Sequence, residues 1–119
     1  MATVELFHAE DIELVSFRAG QAVFREGDSG DVMYVVRKGE LELRVNGHLV
    51  ETLGPGGVLG EMALIEHAPR TATATAKTDC TLVPIPEKRF AFMVQQTPHF
   101  ALQIMKVIAE RLRRMDERL

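Results

Sequence analysis

Apolar and polar positions along this chain change period once, close to residue 86, and that change divides it into a strand-rich part and a helical part. Ile12 to Arg18 carries Ile, Leu, Val and Phe ahead of the turn signal Ala19-Gly20. Val23-Phe24 is a brief strand before the polar cluster Glu26-Gly27-Asp28-Ser29-Gly30-Asp31. Val32 to Val36 is a continuous apolar run, the pattern of a strand buried on both faces, and Lys38-Gly39 ends it. Leu41, Leu43 and Val45 alternate with Glu40, Glu42 and Arg44, which predicts a strand with one wet face. Asn46-Gly47 then predicts a tight hairpin, because a type I′ turn needs positive φ at both central residues. His48 to Leu53 is the returning strand, Gly54 to Gly57 a loop, and Thr71 to Ala76 and Cys80 to Ile85 two further strands. Many short strands at regular spacing predict a sandwich or barrel, since such closure protects strand edges.

Beyond the change of period, Pro86 to Gln95 reads as a short helix. Pro98 opens a longer one at its first turn, where a missing N–H costs nothing, and this helix runs to Leu119. Ala101, Met105, Ile108, Leu112, Met115 and Leu119 recur at alternating spacings of four and three, a heptad seam. Two uses of the seam are open: packing against the barrel, or pairing with a second copy in a symmetric dimer. Arg111, Arg113 and Arg114 read as a solvated face supported by Glu110–Arg114 spacing, or as groups that approach a bound ligand.

Composition narrows the classes. The chain has 119 residues, enough for a single domain spanning 1–119, with strands over about 12–86 and helices over about 87–119. A formal net charge of -3 does not indicate a nucleic-acid-binding surface. A single cysteine, Cys80, excludes a disulfide framework within the chain and fits a reducing cytoplasm; in an apolar strand it reads as a small buried hydrophobe. Met1 to Glu5 shows no signal peptide, and no apolar run approaches the ~18 residues that span a bilayer. His8, His48, His67 and His99 are scattered, without the close pairing of a metal site.

The segment Gly60 to Ala72 carries the candidate chemistry. Glu61 to Ile65 has room for only one or two helical turns, and so short a helix gains little from propagation. Its use lies at its N-terminus, where free N–H groups and the helix dipole favour an anion. Gly60 lets a ligand approach the backbone, and Arg70 supplies a guanidinium that can grip phosphate oxygens with two parallel bonds. Glu61 would be repelled by a phosphate, so it needs a different partner. A carboxylate only accepts hydrogen bonds, which points to a sugar hydroxyl and hence to a phosphate carried on a ribose. The alternative for Glu61 and Arg70 is an internal salt bridge in a ligand-free interaction module.

Gly60-Glu61-Met62-Ala63-Leu64-Ile65 followed by Pro69-Arg70-Thr71-Ala72-Thr73 resembles the phosphate-binding cassette of cyclic nucleotide-binding domains. Phe24 to Val36 with Lys38-Gly39-Glu40 is similar to the earlier strands and glycine turns of that family. The resemblance covers roughly Ile12 to Leu119. It implies a mainly β fold, an eight-stranded jelly-roll β-roll with a short phosphate-binding helix and two C-terminal helices. It implies that Arg70 pairs with the cyclic phosphate and that Glu61 accepts from the ribose 2′-OH. Gly60, Met62, Ala63 and Ala72 would offer backbone groups, and Thr71 would suit cAMP or cGMP. Val45, Leu53 and Val58 would be apolar walls. The implied protein is a non-catalytic cytoplasmic receptor for cAMP or cGMP, with no cofactor or metal, no direct nucleic acid or membrane binding, and a homodimer possible through the 98–119 helix. Against that family's pattern, only about a dozen residues precede the first expected strand, so its usual N-terminal helices are expected to be nearly missing, and the given sequence shows no helix-turn-helix segment of the kind its transcription factors carry after the long helix.

Other chemistries fit poorly. Gly54 to Gly60 has Leu59 where a dinucleotide fingerprint needs its third glycine, and no Gly-Lys-Ser/Thr follows a glycine loop. No Ser-His-Asp or Cys-His set stands out. A metalloenzyme of the cupin type would need a His-x-His signature that the chain lacks.

Overall fold

The structure is a computed structural model, described here for residues 13–118, with side chains described as far as Arg114. Eight strands and three helices follow in order. They are β1 (Val15–Phe17), β2 (Ala22–Phe24), β3 (Val32–Lys38), β4 (Leu41–Val45), β5 (His48–Leu53), β6 (Val58–Leu59), α1 (Glu61–Glu66), β7 (Thr73–Ala76), β8 (Cys80–Pro86), α2 (Glu87–Gln96) and α3 (Pro98–Arg118). Two antiparallel four-stranded sheets form, in the orders β1-β8-β3-β6 and β2-β7-β4-β5. This is the expected mainly β jelly roll. The strand that pattern reading did not find is β6, two residues long and too short to show a period. Ile12, His8, Leu119 and the N-terminal segment read for a signal peptide lie outside the described residues.

Each sheet explains its own sequence pattern. In β3, Met33 and Val35 face a cluster with Val83, Ile85, Leu64 and the α3 residues Phe100, Ile104 and Val107. Val36 points the other way, into the core between the sheets with Leu41, Leu53, Leu59 and Leu82. A sheet covered by helices on one face and by its partner sheet on the other needs apolar residues at successive positions, which is why β3 reads as an unbroken run. Strands β4 and β5 turn at Asn46 and Gly47, both at positive φ (51° and 81°), as a type I′ hairpin requires. Cys80 is buried, and burial, helped by the charge of Asp79, pushes its thiol pKa up.

Helix α3 packs with a different face from the one its heptad pattern predicts. The residues buried on the β-roll are Phe100, Ile104 and Val107, with Ile108 partly buried beside them. Met105 and Leu112, central to the seam, are 61% and 54% exposed. Met115 and Leu119 lie outside the described side chains. The apolar surface of this helix is wide enough for two stripes, and the contact of Phe100 with Phe90 of α2, edge to face at 5.7 Å, helps select the one that docks. The seam is thus not the surface that holds α3 to the barrel.

Candidate functional site

One end of the β-roll is open between β4 and β5, α1 with the loop that follows it, and the C-terminal half of α3. A cavity of ≈ 490 Å³ lies there. Gly60, Glu61, Met62, Ala63, Arg70, Thr71 and Ala72 all line it. Seven residues chosen from the sequence therefore share one wall.

Local backbone geometry explains the placement. Gly60 enters α1 at φ 81°, and His67 closes the helix in the left-handed region at φ 55°, so α1 is confined to six residues. The loop after it is tied to the turn after β2: the Gly27 amide donates to the Arg70 carbonyl at 2.9 Å, and the Arg70 amide donates to the Asp28 carbonyl at 2.8 Å. The two sequence motifs, well separated along the chain, meet at these bonds.

Arg70 is 6% exposed. Its guanidinium lies over the Phe24 ring, 4.3 Å from the centroid, and donates to the carbonyls of Gly60 (3.2 Å) and Val32 (2.8 Å). Its Nε is buried without a hydrogen-bond partner. Burial holds the Arg70 pKa below the ordinary arginine value, against the opposing pull of Tyr34, Asp31, Asp28 and Glu61. Gly30 and Gly60 make room for the group. A Cβ at Gly30 would collide with the guanidinium, and one at Gly60 would come within 2.6 Å of its Nη1. The sequence signal of Gly30 was legible as a turn; its service to Arg70 was not.

Glu61, 2% exposed, does not pair with Arg70. The internal salt bridge that the sequence left open is not formed. Instead Arg111 of α3 donates to Glu61 Oε1 and to the Val58 carbonyl, and its Nε donates to Glu51 Oε1 at 3.0 Å. Arg114 reaches the same Glu51 oxygen at 3.1 Å. Burial alone would lower the Arg111 pKa, but the charges and hydrogen bonds of Glu61 and Glu51 outweigh it and hold it above the ordinary value. The solvated face expected for these arginines is therefore corrected at Arg111 and Arg114. A charge run on a helix looks solvated until the acidic partners on other elements are known.

The wall assignments divide. Val45 lines the cavity. Leu53 and Val58 do not, because both side chains are turned into the packed interior. Lining residues that sequence reasoning missed include Phe24, Leu43, Val50 and Glu51 from the strands, and Ile108 and Leu112 from α3. Their apolar character marked them only as strand or helix faces. Among the described residues, no group of three His, Cys, Asp or Glu side chains could hold a metal ion. Among them too, no helix is long and apolar enough to cross a membrane.

Comparison with known proteins places the chain in a family. The family model of the cyclic nucleotide-binding domain matches residues 14–97. The chain belongs to that family. It is similar to the regulatory subunit of the cAMP-dependent protein kinase of Eremothecium gossypii, 46% identical over 63 residues, which are 53% of this chain and 14% of the subunit. Among solved structures it resembles the catabolite activator protein of Thermus thermophilus (TM-score 0.80, 28% identity), covering 90% of this chain and 53% of that one. It also resembles an EAL enzyme in cAMP-bound form (TM-score 0.65, 30% identity, 87% of this chain and 29% of that one). The cGMP-bound form of that enzyme gives TM-score 0.68 and 29% identity, covering 88% of this chain and 29% of that one. The chain thus spans only part of the length of each of these relatives. In the EAL enzyme, a domain of this fold is part of an enzyme; the family itself is a regulatory binding domain.

Proposed function

We propose that this chain is a non-catalytic receptor domain for a purine 3′,5′-cyclic nucleotide, cAMP or cGMP, working without a cofactor. The observation that carries the reading is Arg70: a buried guanidinium with an orphan Nε, beside the N-terminus of α1, on the wall of a cavity. A desolvated cation held by neutral carbonyls and one aromatic ring is costly unless an anion completes it. The cyclic phosphate would meet Arg70, and the backbone of Gly60, Met62, Ala63 and Ala72 would surround phosphate and sugar. Thr71 would add a hydroxyl. The ribose 2′-OH would donate to Glu61, whose Oε2 has no hydrogen-bond partner among the described residues. The bound forms of the EAL enzyme and the name of the fungal regulatory subunit support a cyclic nucleotide as ligand.

Binding would shift a population of α3 positions, since α3 both lines the cavity and holds Glu61 through Arg111. The exposed seam residues Met105 and Leu112 would serve a homodimer through the 98–119 helix. Neither nucleic acid nor membrane would be a direct partner, and the cytoplasm would be the compartment. A ligand-free interaction module on the same fold is less well supported, because it leaves the buried Arg70 without a purpose.

Titration calorimetry with cAMP and cGMP tests the reading. Saturable heat, with a rise in melting temperature, is the expected result. No heat and no thermal stabilisation at millimolar concentrations of either nucleotide rejects it. Light scattering over a concentration series tests the dimer; a strict monomer at ~100 μM, where a μM-range dimer would form, rejects it.

A further inference from the structure

The polar groups on the cavity wall form an ordered line. Arg70 bonds the carbonyl of Gly60, Glu61 follows Gly60 in the chain, Arg111 bonds Glu61, and Glu51 accepts from both Arg111 and Arg114. If the first two groups take phosphate and ribose, the far end of the line falls to the base. That end holds Glu51, on β5, with a side chain only 8% exposed. Glu51 lines the cavity, and both arginines engage its Oε1, while Oε2 has no hydrogen-bond partner among the described residues. Val45, Val50 and Ile108 supply apolar surface in the same cavity for the faces of a purine ring.

Resting on the cyclic-nucleotide reading above, we propose that Glu51 reads the base through the hydrogen at purine N1, and that it makes this site favour cGMP over cAMP. The argument is a sign change at one atom. Guanine carries N1–H, a donor. Adenine carries a bare N1 lone pair in the same place, and a carboxylate has only lone pairs to offer it. A buried acceptor therefore gains a charge-assisted bond from guanine and meets an acceptor on adenine. Arg111 and Arg114 both hold its Oε1, so the carboxylate cannot rotate freely toward the adenine amino group. Thr71 contributes separately, since a hydroxyl there suits the guanine 2-amino group but is indifferent to N1.

Competition calorimetry with cGMP, cAMP and cIMP on the wild-type chain and on Glu51→Gln tests this. Inosine keeps N1–H and lacks the 2-amino group, so it separates Glu51 from Thr71. The expected wild-type result is that cGMP and cIMP both bind more tightly than cAMP, cGMP by about tenfold or more. In Glu51→Gln, which is close in shape and can turn an N–H toward adenine N1, the cGMP to cAMP ratio should fall to within about threefold of one. The ratio is the readout because a general loosening of α3 lowers both affinities together. Wild-type binding of cAMP as tight as cGMP overturns the inference and leaves the receptor reading standing. So does cIMP binding no better than cAMP, which would give any guanine preference to the amino group alone. An unchanged ratio in Glu51→Gln overturns it as well. Binding of none of the three nucleotides overturns both the inference and the reading beneath it.

Discussion

Arg70 and Arg111 line the same cavity and bury a guanidinium in opposite ways. Arg70 is met by two backbone carbonyls and a phenyl ring, keeps one donor unsatisfied, and is pushed toward its neutral form by burial. Arg111 is met by two carboxylates and a carbonyl, which hold it charged more firmly than solvent would. One is an incomplete electrostatic site and the other a completed one. An unpartnered donor on a buried charge points outward to a ligand; completeness points inward to the structure it ties together. By this contrast we assign Arg70 to the proposed binding site, and Arg111 first to the docking of α3.

Four substitutions would break or sharpen the contrast. The largest effect is expected from Arg70→Ala on nucleotide affinity, a loss of ~2–5 kcal/mol measured by calorimetry, because the phosphate would be left unpaired in a desolvated site. An affinity change under threefold would contradict the role given to Arg70. The same variant should change unliganded stability by less than about 1 kcal/mol, since it removes a costly buried cation together with its weak partners. Arg111→Ala should behave the other way, lowering unfolding free energy in urea by about 3 kcal/mol, because Glu61 then keeps no cation and Glu51 only Arg114. A stability within error of wild type would show that the network is not what holds α3.

Gly30→Ala comes next. Its Cβ would displace the Arg70 side chain, for an expected loss of about 1–3 kcal/mol in thermal unfolding. Placing Gly30→Ala in the Arg70→Ala background should recover most of that loss, since the colliding group is gone. Simple additivity of the two would mean that Gly30 serves some other contact. The smallest effect is expected from Arg114→Ala. Its side chain is about a third exposed and Glu51 retains Arg111, so stability should fall by under ~1 kcal/mol and the difference should shrink in high salt.

Short-range signals were the ones that read well. The Asn46-Gly47 hairpin, the alternation of β4 and the unbroken run of β3 each state a backbone requirement within a few residues. The same holds for the cassette, where Gly60 at positive φ starts α1 and Pro69 precedes Arg70. Strand β6 was missed because two residues carry no period. Leu53 and Val58 were misassigned as cavity walls because an apolar residue on a strand can face the core or a pocket with the same letter, and only the pairing of the sheets separates the two.

Gly60 to Ala72 is where the sequence by itself determined most, since the residues it contributes to this end of the cavity are contiguous and their backbone demands are local. The tertiary structure alone decided the other end. Arg111 meets Glu61 fifty residues away and Glu51 sixty residues away. The buried face of α3 sits one residue out of phase with the heptad seam. Such choices depend on what lies across a gap, and a helix with apolar residues on two faces does not specify which will be covered. Burial selected Phe100, Ile104 and Val107, and that rotation carries Arg111 to the two carboxylates.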